Sequence, residues 1–389
     1  VIAHQKAKKR GNQIAEWLSE HLKGKSFRTI AADATNQKDT VCNSVNQLLK
    51  NLKTSWEITR ELQPGNFKGN CIVDAKFIPV KEFAIEKPSF VPRSRKRRKI
   101  LRGLTHISGC DYDTHDIPAA LLTQTEEFWV YDIYFRQLKE LHYPLCSLTC
   151  DDRESIRKAC LQHFPAAKIQ LCIRHYSEEI SRKLKIRSIE RTMQSLEKKL
   201  VSLKDDYLYE TRPEAQLRAV QLLNHIADLE HRYWVAGTFS VMLQSLIRSK
   251  TRVQYEHFAT ELKEFFHALL PIEHPFLRKR IIAIYQKFQA DREFLFTSLR
   301  FPDLRIPRTT NLLEGYHSHW ESQLSSIRGF ESTETAKNYM NALVLKKRFS
   351  VLVSCKKHFK HLNGRSPLEH SGGLQATLKD WVSFCIRKE

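Results

Sequence analysis

Three acidic residues occupy positions where a carboxylate needs a partner. Asp74 interrupts the apolar run Cys71-Ile-Val-Asp-Ala-Lys-Phe-Ile-Pro-Val80, a β-branched segment that reads as a buried strand. An acid there is costly unless it is paired or binds a cation. Asp151 follows directly on Leu145-Cys-Ser-Leu-Thr-Cys150, at the C-terminal end of a second strand, where α/β proteins place their sites. Glu314 lies in Thr309-Thr-Asn-Leu-Leu-Glu-Gly315, about one turn into a helix that Thr309 or Thr310 can cap. Carboxylates from three separate elements supply the hard oxygen ligands that Mg²⁺ or Mn²⁺ takes, enough to hold two ions. Two such ions flanking a phosphate activate the attacking oxygen and stabilise the leaving one. Each acid also has a plainer reading: a strand-end turn for Asp74, a helix N-cap for Asp151 or Asp152, and a capping-box partner for Glu314.

The elements that must position these acids follow from hydrophobic period. Pro64-Gly65-Asn66 closes a helical region, 1–65. In it a short helix over 26–33, a turn at 34–36 and a helix over 37–52 form a helix-turn-helix pattern. Lys38, Thr40 and Asn43 are its candidates for facing a DNA groove. Over 66–176 the pattern predicts strands at 71–80, 100–108, 145–150 and 168–173, with helices at 126–141 and 153–164, a mixed α/β core. Strands vanish over 177–307, where Ile189, Met193, Leu196, Leu200 and Leu203 form a heptad-like stripe and further helices follow. Helical periodicity resumes over 308–389, at 310–325 and 333–358.

Composition narrows the partner. The chain has 389 residues with 64 Lys+Arg against 43 Asp+Glu, a net charge of +21, and is 41% hydrophobic. That apolar content excludes a disordered tail, and no stretch approaches the ~18 consecutive apolar residues of a membrane span. The N-terminus carries no apolar segment of a secretory signal, and because the first residue is Val, a further module can precede it. Nine cysteines without a Cys-x-x-Cys pair predict reduced thiols and an intracellular compartment. A surplus of cations this large predicts a polyanion, above all nucleic acid. Arg93, Arg95, Lys96, Arg97, Arg98 and Lys99 place six cations in seven positions. The block reads as a phosphate-gripping loop beside the acids, or as a solvated or nuclear-import-like run. No GxxxxGK loop is present, which argues against nucleotide hydrolysis as an energy source.

Taken in order, these stretches resemble the Mutator-type DDE transposases of bacterial insertion sequences. Cys71-Ile-Val-Asp74-Ala-Lys-Phe is similar to that family's first aspartate motif. Thr149-Cys-Asp151, then Phe164-Pro165 and Gln170-Leu-Cys172-Ile-Arg-His175, is similar to the second, and Thr309-Thr-Asn-Leu-Leu-Glu314-Gly315 to the third. The resemblance implies a ribonuclease-H-like core interrupted by an all-α insertion, with an N-terminal helix-turn-helix domain. It implies that Asp74, Asp151 and Glu314 bind two Mg²⁺ or Mn²⁺ ions, without zinc, and that Cys172 and His175 are structural or contact substrate. His317, one turn beyond Glu314 on the same helix face, is a further candidate for contacting substrate. The family usually has glycine after the second aspartate, where this chain has Asp152. The implied activity is metal-dependent hydrolysis and strand transfer at the ends of a mobile element. Its partners would be double-stranded DNA (terminal inverted repeats and target) and a second copy of the chain, in a cytoplasmic, nucleoid-associated setting. Two further readings stay open: a transposase-derived DNA-binding regulator without cleavage, and a nuclease on the same core.

Overall fold

The computed structural model describes residues 2–80, 103–205, 212–268, 275–326, 330–376, 378 and 380–387. The chain forms two units, Val1–Ile169 with Leu304–Glu389, and Gln170–Asp303. The cationic run at 93–99 lies outside the described residues.

The first unit opens with four helices, α1 (Ile2–His21), α2 (Phe27–Asp33), α3 (Lys38–Lys50) and α4 (Ser55–Leu62). Local chemistry sets their limits. The Ser26 hydroxyl accepts from the Thr29 amide at the start of α2. Thr54 and Glu57 form a reciprocal capping box at the start of α4, which ends where Gln63 turns left-handed ahead of Pro64. Val41, Val45 and Leu49 are buried along α3, while Lys38, Thr40 and Asn43 stay exposed.

A five-stranded sheet follows, in the order β3-β2-β1-β4-β5. Its strands are β1 (Asn70–Pro79), β2 (Gly103–Asp111), β3 (Ala119–Thr123), β4 (Ser147–Cys150) and β5 (Lys168–Leu171). β1 runs antiparallel to β2 and parallel to β4. As the central strand it is covered on both faces, so its first five residues are all buried. Helices α5 (Phe128–Glu140) and α6 (Glu154–His163) connect the later strands. Gly109 of β2 admits the α5 residue Tyr134: a β-carbon there would lie 1.8 Å from the tyrosine hydroxyl.

After the second unit the chain returns through α13 (Asn311–Ser326), α14 (Thr333–Phe349), α15 (Pro367–His370) and α16 (Trp381–Cys385). Ile72 and Ile78 of β1, Leu313 and Trp320 of α13, Met340 and Leu343 of α14, and Val41 and Val45 of α3 share one hydrophobic core. The N-terminal helices, the sheet and the C-terminal helices are therefore a single packed body.

The second unit is all helical: α7 (Ile173–Leu184), α8 (Ile186–Lys204), α9 (Pro213–Arg248), α10 (Arg252–Ala268), α11 (Pro275–Leu295) and α12 (Thr297–Arg300). Phe239, Leu243, Ile281 and Phe288 lie at the centre of its core. The Gln170 side chain joins the unit's first and last segments, donating to the Leu295 carbonyl at 3.0 Å and accepting from the Ser298 amide at 2.9 Å. The stripe from Ile189 to Leu203 faces α9, but α8 has no fully buried residue. No helix among the described residues is long and apolar enough to cross a membrane.

Three expectations are corrected. β3 is a strand that hydrophobic period did not predict. The segment 168–173 divides, with β5 ending at Leu171 and α7 starting at Ile173. The helix expected over 333–358 stops at Phe349, because Ser350 turns to an extended backbone and 357–362 winds as a short 3₁₀ helix.

One polar contact lies deep in the first unit. Arg348 of α14 and Asp116, in the connection between β2 and β3, are both fully buried and meet in a two-point ion pair at 2.7 and 2.9 Å. Arg348 also donates to the Ser55 carbonyl at 2.7 Å, and the Ser371 hydroxyl donates to Asp116 at 2.7 Å. Removing one partner of such a pair leaves a buried charge uncompensated, at a cost of about 3–5 kcal/mol. Arg348→Ala should lower unfolding free energy by about that amount in urea titrations; a loss under ~1 kcal/mol would refute this role.

Acid sensitivity provides a second check on the same body. Burial lowers the pKa values of His106 and His115 to about 3. Between the unfolded value near 6.5 and this folded value the unfolded chain binds more protons, so stability must fall as pH drops from about 6.5 to 3. Denaturation midpoints measured across that range should decline steadily and be flat above pH 7; the decline should shrink in a His115→Gln variant.

Candidate active site

The register of two parallel strands brings the first two acids together. Ile72 of β1 pairs with Thr149 of β4. Asp74 and Asp151 each lie two residues farther along, so both side chains leave the same face at the same level. Their carboxylate oxygens lie within 4.8 Å of each other. Asp74 is buried, and its Oδ1 accepts from the Ala75 amide at 2.9 Å. Asp151 is half-buried at the tip of β4. Asp152 lies apart from this pair, with its carboxylate 3.7 Å from Arg157 of α6. It does not cap α6, whose N-cap is Arg153 without a side-chain hydrogen bond.

α13 reaches the same face because its leading segment is tied to the strands. Asn70 at the start of β1 donates to the Leu304 carbonyl at 2.9 Å, and Thr149 donates to the Pro307 carbonyl at 2.6 Å. Thr310 then donates to the Glu314 carboxylate at 2.9 Å in the first turn of the helix. One turn later His317 is buried, with Nδ1 3.3 Å from Asp74 Oδ2 and Nε2 3.3 Å from the hydroxyl of Ser108. Ser108 is the cross-strand partner of Asp74 in β2. Residues three apart share a helix face, so Glu314 and His317 both project from the side of α13 that meets β1. Behind them Trp320 packs edge-on to His106 at 5.5 Å and beside His317 at 5.4 Å.

Hydrophobic and motif patterns missed two neighbours. Glu126 is half-buried and paired with Arg153 at 2.8 Å. Burial raises its carboxyl pKa, Arg153 opposes that shift, and the charges of Asp151 and Asp74 raise it further. It therefore stands within electrostatic reach of the acid pair, although it belongs to no motif. Arg308, between the docked Pro307 and Thr310, is lowered by desolvation. No spacing signal marks either residue.

The remaining candidates belong to other elements. Cys172 and His175 belong to the second unit, where Cys172 is the buried N-cap of α7 and His175 sits one turn in. Their ligating atoms lie within 4.8 Å of each other. Lys38, Thr40 and Asn43 occupy the exposed face of α3 in the first unit.

No protein-family model matches the sequence, and no curated protein matches it. Among solved structures the chain is similar to the Drosophila P element transposase strand transfer complex, with 11% identity over 85% of this chain and 90% of that one, at a TM-score of 0.39. It is also similar to a pre-cleavage Mos1 transpososome, with 10% identity over 37% of this chain and 53% of that one, at a TM-score of 0.18. A Mos1 transposase paired-end complex with the left transposon end gives 13% identity over 36% of this chain and 52% of that one, at a TM-score of 0.16. The match spans about half the length of the Mos1 chains.

The donor set suits a divalent cation. Two carboxylates converge on one face, at a separation where like charges repel unless a cation lies near, and oxygen donors are what Mg²⁺ and Mn²⁺ take. Mn²⁺ at about one hundred times its Kd should stabilise the protein by about 2.7 kcal/mol, read from the shift of the denaturation midpoint. The gain should vanish in Asp151→Asn and survive in Asp152→Asn. An equal gain in Asp151→Asn would remove this residue from the metal site.

Proposed function

We propose that the chain is a DNA transposase of the Mutator type, from a bacterial insertion sequence, with a ribonuclease-H-like catalytic core. The observation that carries this reading is the convergence of Asp74 and Asp151 from adjacent parallel strands, supported by the motif resemblance around both residues and Glu314. These three would hold two Mg²⁺ or Mn²⁺ ions, which, when bound, neutralise charge on a phosphodiester and favour attack by an oxygen nucleophile.

The chain's own residues supply positioning. Strand register sets the distance between the two aspartates. His317, fixed on its far side by Ser108, orients Asp74, and Thr310 orients Glu314 through a hydrogen bond within the first turn. Little covalent work falls to side chains, because phosphoryl transfer depends chiefly on geometry and charge. The exposed face of α3, with Lys38, Thr40 and Asn43, is proposed to meet duplex DNA as the second helix of a helix-turn-helix. Cys172 and His175 are proposed as substrate contacts from the second unit, and two copies of the chain would be needed to join two element ends.

The test uses DNA from both flanks of the gene, where the element's ends should lie, incubated with protein and Mg²⁺ or Mn²⁺. The expected products are 3′-hydroxyl ends at a repeated boundary and joined strands. Asp74→Asn, Asp151→Asn and Glu314→Gln should each lower cleavage by about 10²-fold or more while leaving DNA affinity intact. DNA binding with no metal-dependent cleavage in the wild type would replace this reading with a DNA-binding regulator. Cleavage without joined strands would replace it with a nuclease.

A further inference from the structure

The second unit carries a groove of about 1250 Å³ between α7, α8 and the end of α9. Its walls are strongly one-sided in charge. Arg187, Arg191 and Lys199 line it from α8, Arg174, Arg182 and Lys185 from α7 and its C-cap, and Arg248 from α9, against a single carboxylate among the described residues, Glu178. Between the cations stand hydroxyls, among them Ser188, Thr192 and Ser195. Arg187, Arg191, Ser195 and Lys199 recur every four residues and are all exposed, so they form one row along one face of α8. None of Arg187, Arg191 and Lys199 is in an ion pair among the described residues.

We infer that this groove binds the phosphate backbone of duplex DNA. A row of unneutralised cations repels itself, and a polyanion relieves that repulsion. From Arg187 to Lys199 the row runs about 18 Å at ~1.5 Å per residue. That length spans about five base-pair steps of a duplex at ~3.4 Å each, well beyond a single phosphate or a nucleotide's phosphate tail. Among the described residues the lining contains no aromatic side chain, so these offer no platform for stacking the bases of a single strand. Arginine, lysine and hydroxyl groups are the donors that contact the sugar-phosphate backbone and fix register without reading sequence. The inference does not depend on the chemistry proposed for Asp74, Asp151 and Glu314.

The test is a salt titration of binding to a duplex of about 25 base pairs, in the full chain carrying Asp74→Asn so that nothing is cleaved. Replacing Arg187, Arg191 and Lys199 together by alanine preserves the exposed helix, alanine being the best helix former. The slope of log K against log salt should become less negative by about 2–3, at ~0.9 per lost phosphate contact, and affinity at 0.1 M salt should fall roughly 10²-fold. A control variant with Arg252, Lys263 and Lys279 replaced by alanine removes the same charge from other helices, and its slope should change by less than one. An unchanged slope in the α8 variant, or an equal change in the control, overturns the inference. So does tighter binding of the single strand than of the duplex. Inorganic triphosphate at 5 mM should not displace the duplex at 0.1 M salt; full displacement would make the groove a site for small phosphates instead. Because no cleavage is read, these outcomes stand whether or not the proposed catalysis is found.

Discussion

The first unit depends on one buried cation. Arg348 holds Asp116 with two hydrogen bonds in surroundings that exclude water, and it fixes the start of α4 through Ser55. Ser371 brings the C-terminal segment to the same carboxylate. Four stretches remote in sequence thus share one charge pair, where charge-assisted, two-point contacts specify geometry more sharply than apolar packing. The pair lies at the loop after β2, the strand whose Ser108 backs His317, and on α14, the helix that follows α13. Its geometry therefore bears on the elements that carry both sides of the acid cluster.

The cluster itself is an example of strand register acting as a ruler. Asp74 and Asp151 meet because each lies two residues beyond a paired position, a spacing fixed by the backbone alone. Glu314 has no such ruler. Its place depends on the docking of 304–307 on β1 and β4 and on the His317–Asp74 contact, a set of side-chain bonds that is weaker and more adjustable. The two aspartates are thereby built into the sheet, whereas the third acid is delivered by a helix.

Much of this arrangement was legible in the residues. The apolar runs around Asp74 and before Asp151 identified β1 and β4, and alternating helices and strands identified the mixed core. Other features left no trace in pattern. β3 is Ala-Ala-Leu-Leu-Thr, with β-branched character only at its last residue, and it exists because β2 offers it an edge. Arg348 sits beside Lys346 and Lys347 inside the helix expected over 333–358; only the fold reveals that it points inward. Glu126 and Arg308 acquire their surroundings from distant segments, so no local spacing distinguishes them from ordinary surface charges. Asp152 read as a helix cap because that is what acids do before helices, but Arg157 draws its carboxylate away.

The first unit is made of two stretches of chain, with Gln170–Asp303 between them. This ordering sets a timetable during synthesis. Asp74 and Asp151 leave the ribosome well before Glu314, 163 residues behind Asp151; at ~5–20 residues per second the delay is about 8–33 s. Arg348 is later still, so throughout that interval Asp116 lacks the cation that makes its burial tolerable. The nascent chain therefore has an incomplete set of acids until Glu314 is made and an unfinished core until Arg348 is made, and a message truncated before Arg348 yields a protein that cannot close its first unit.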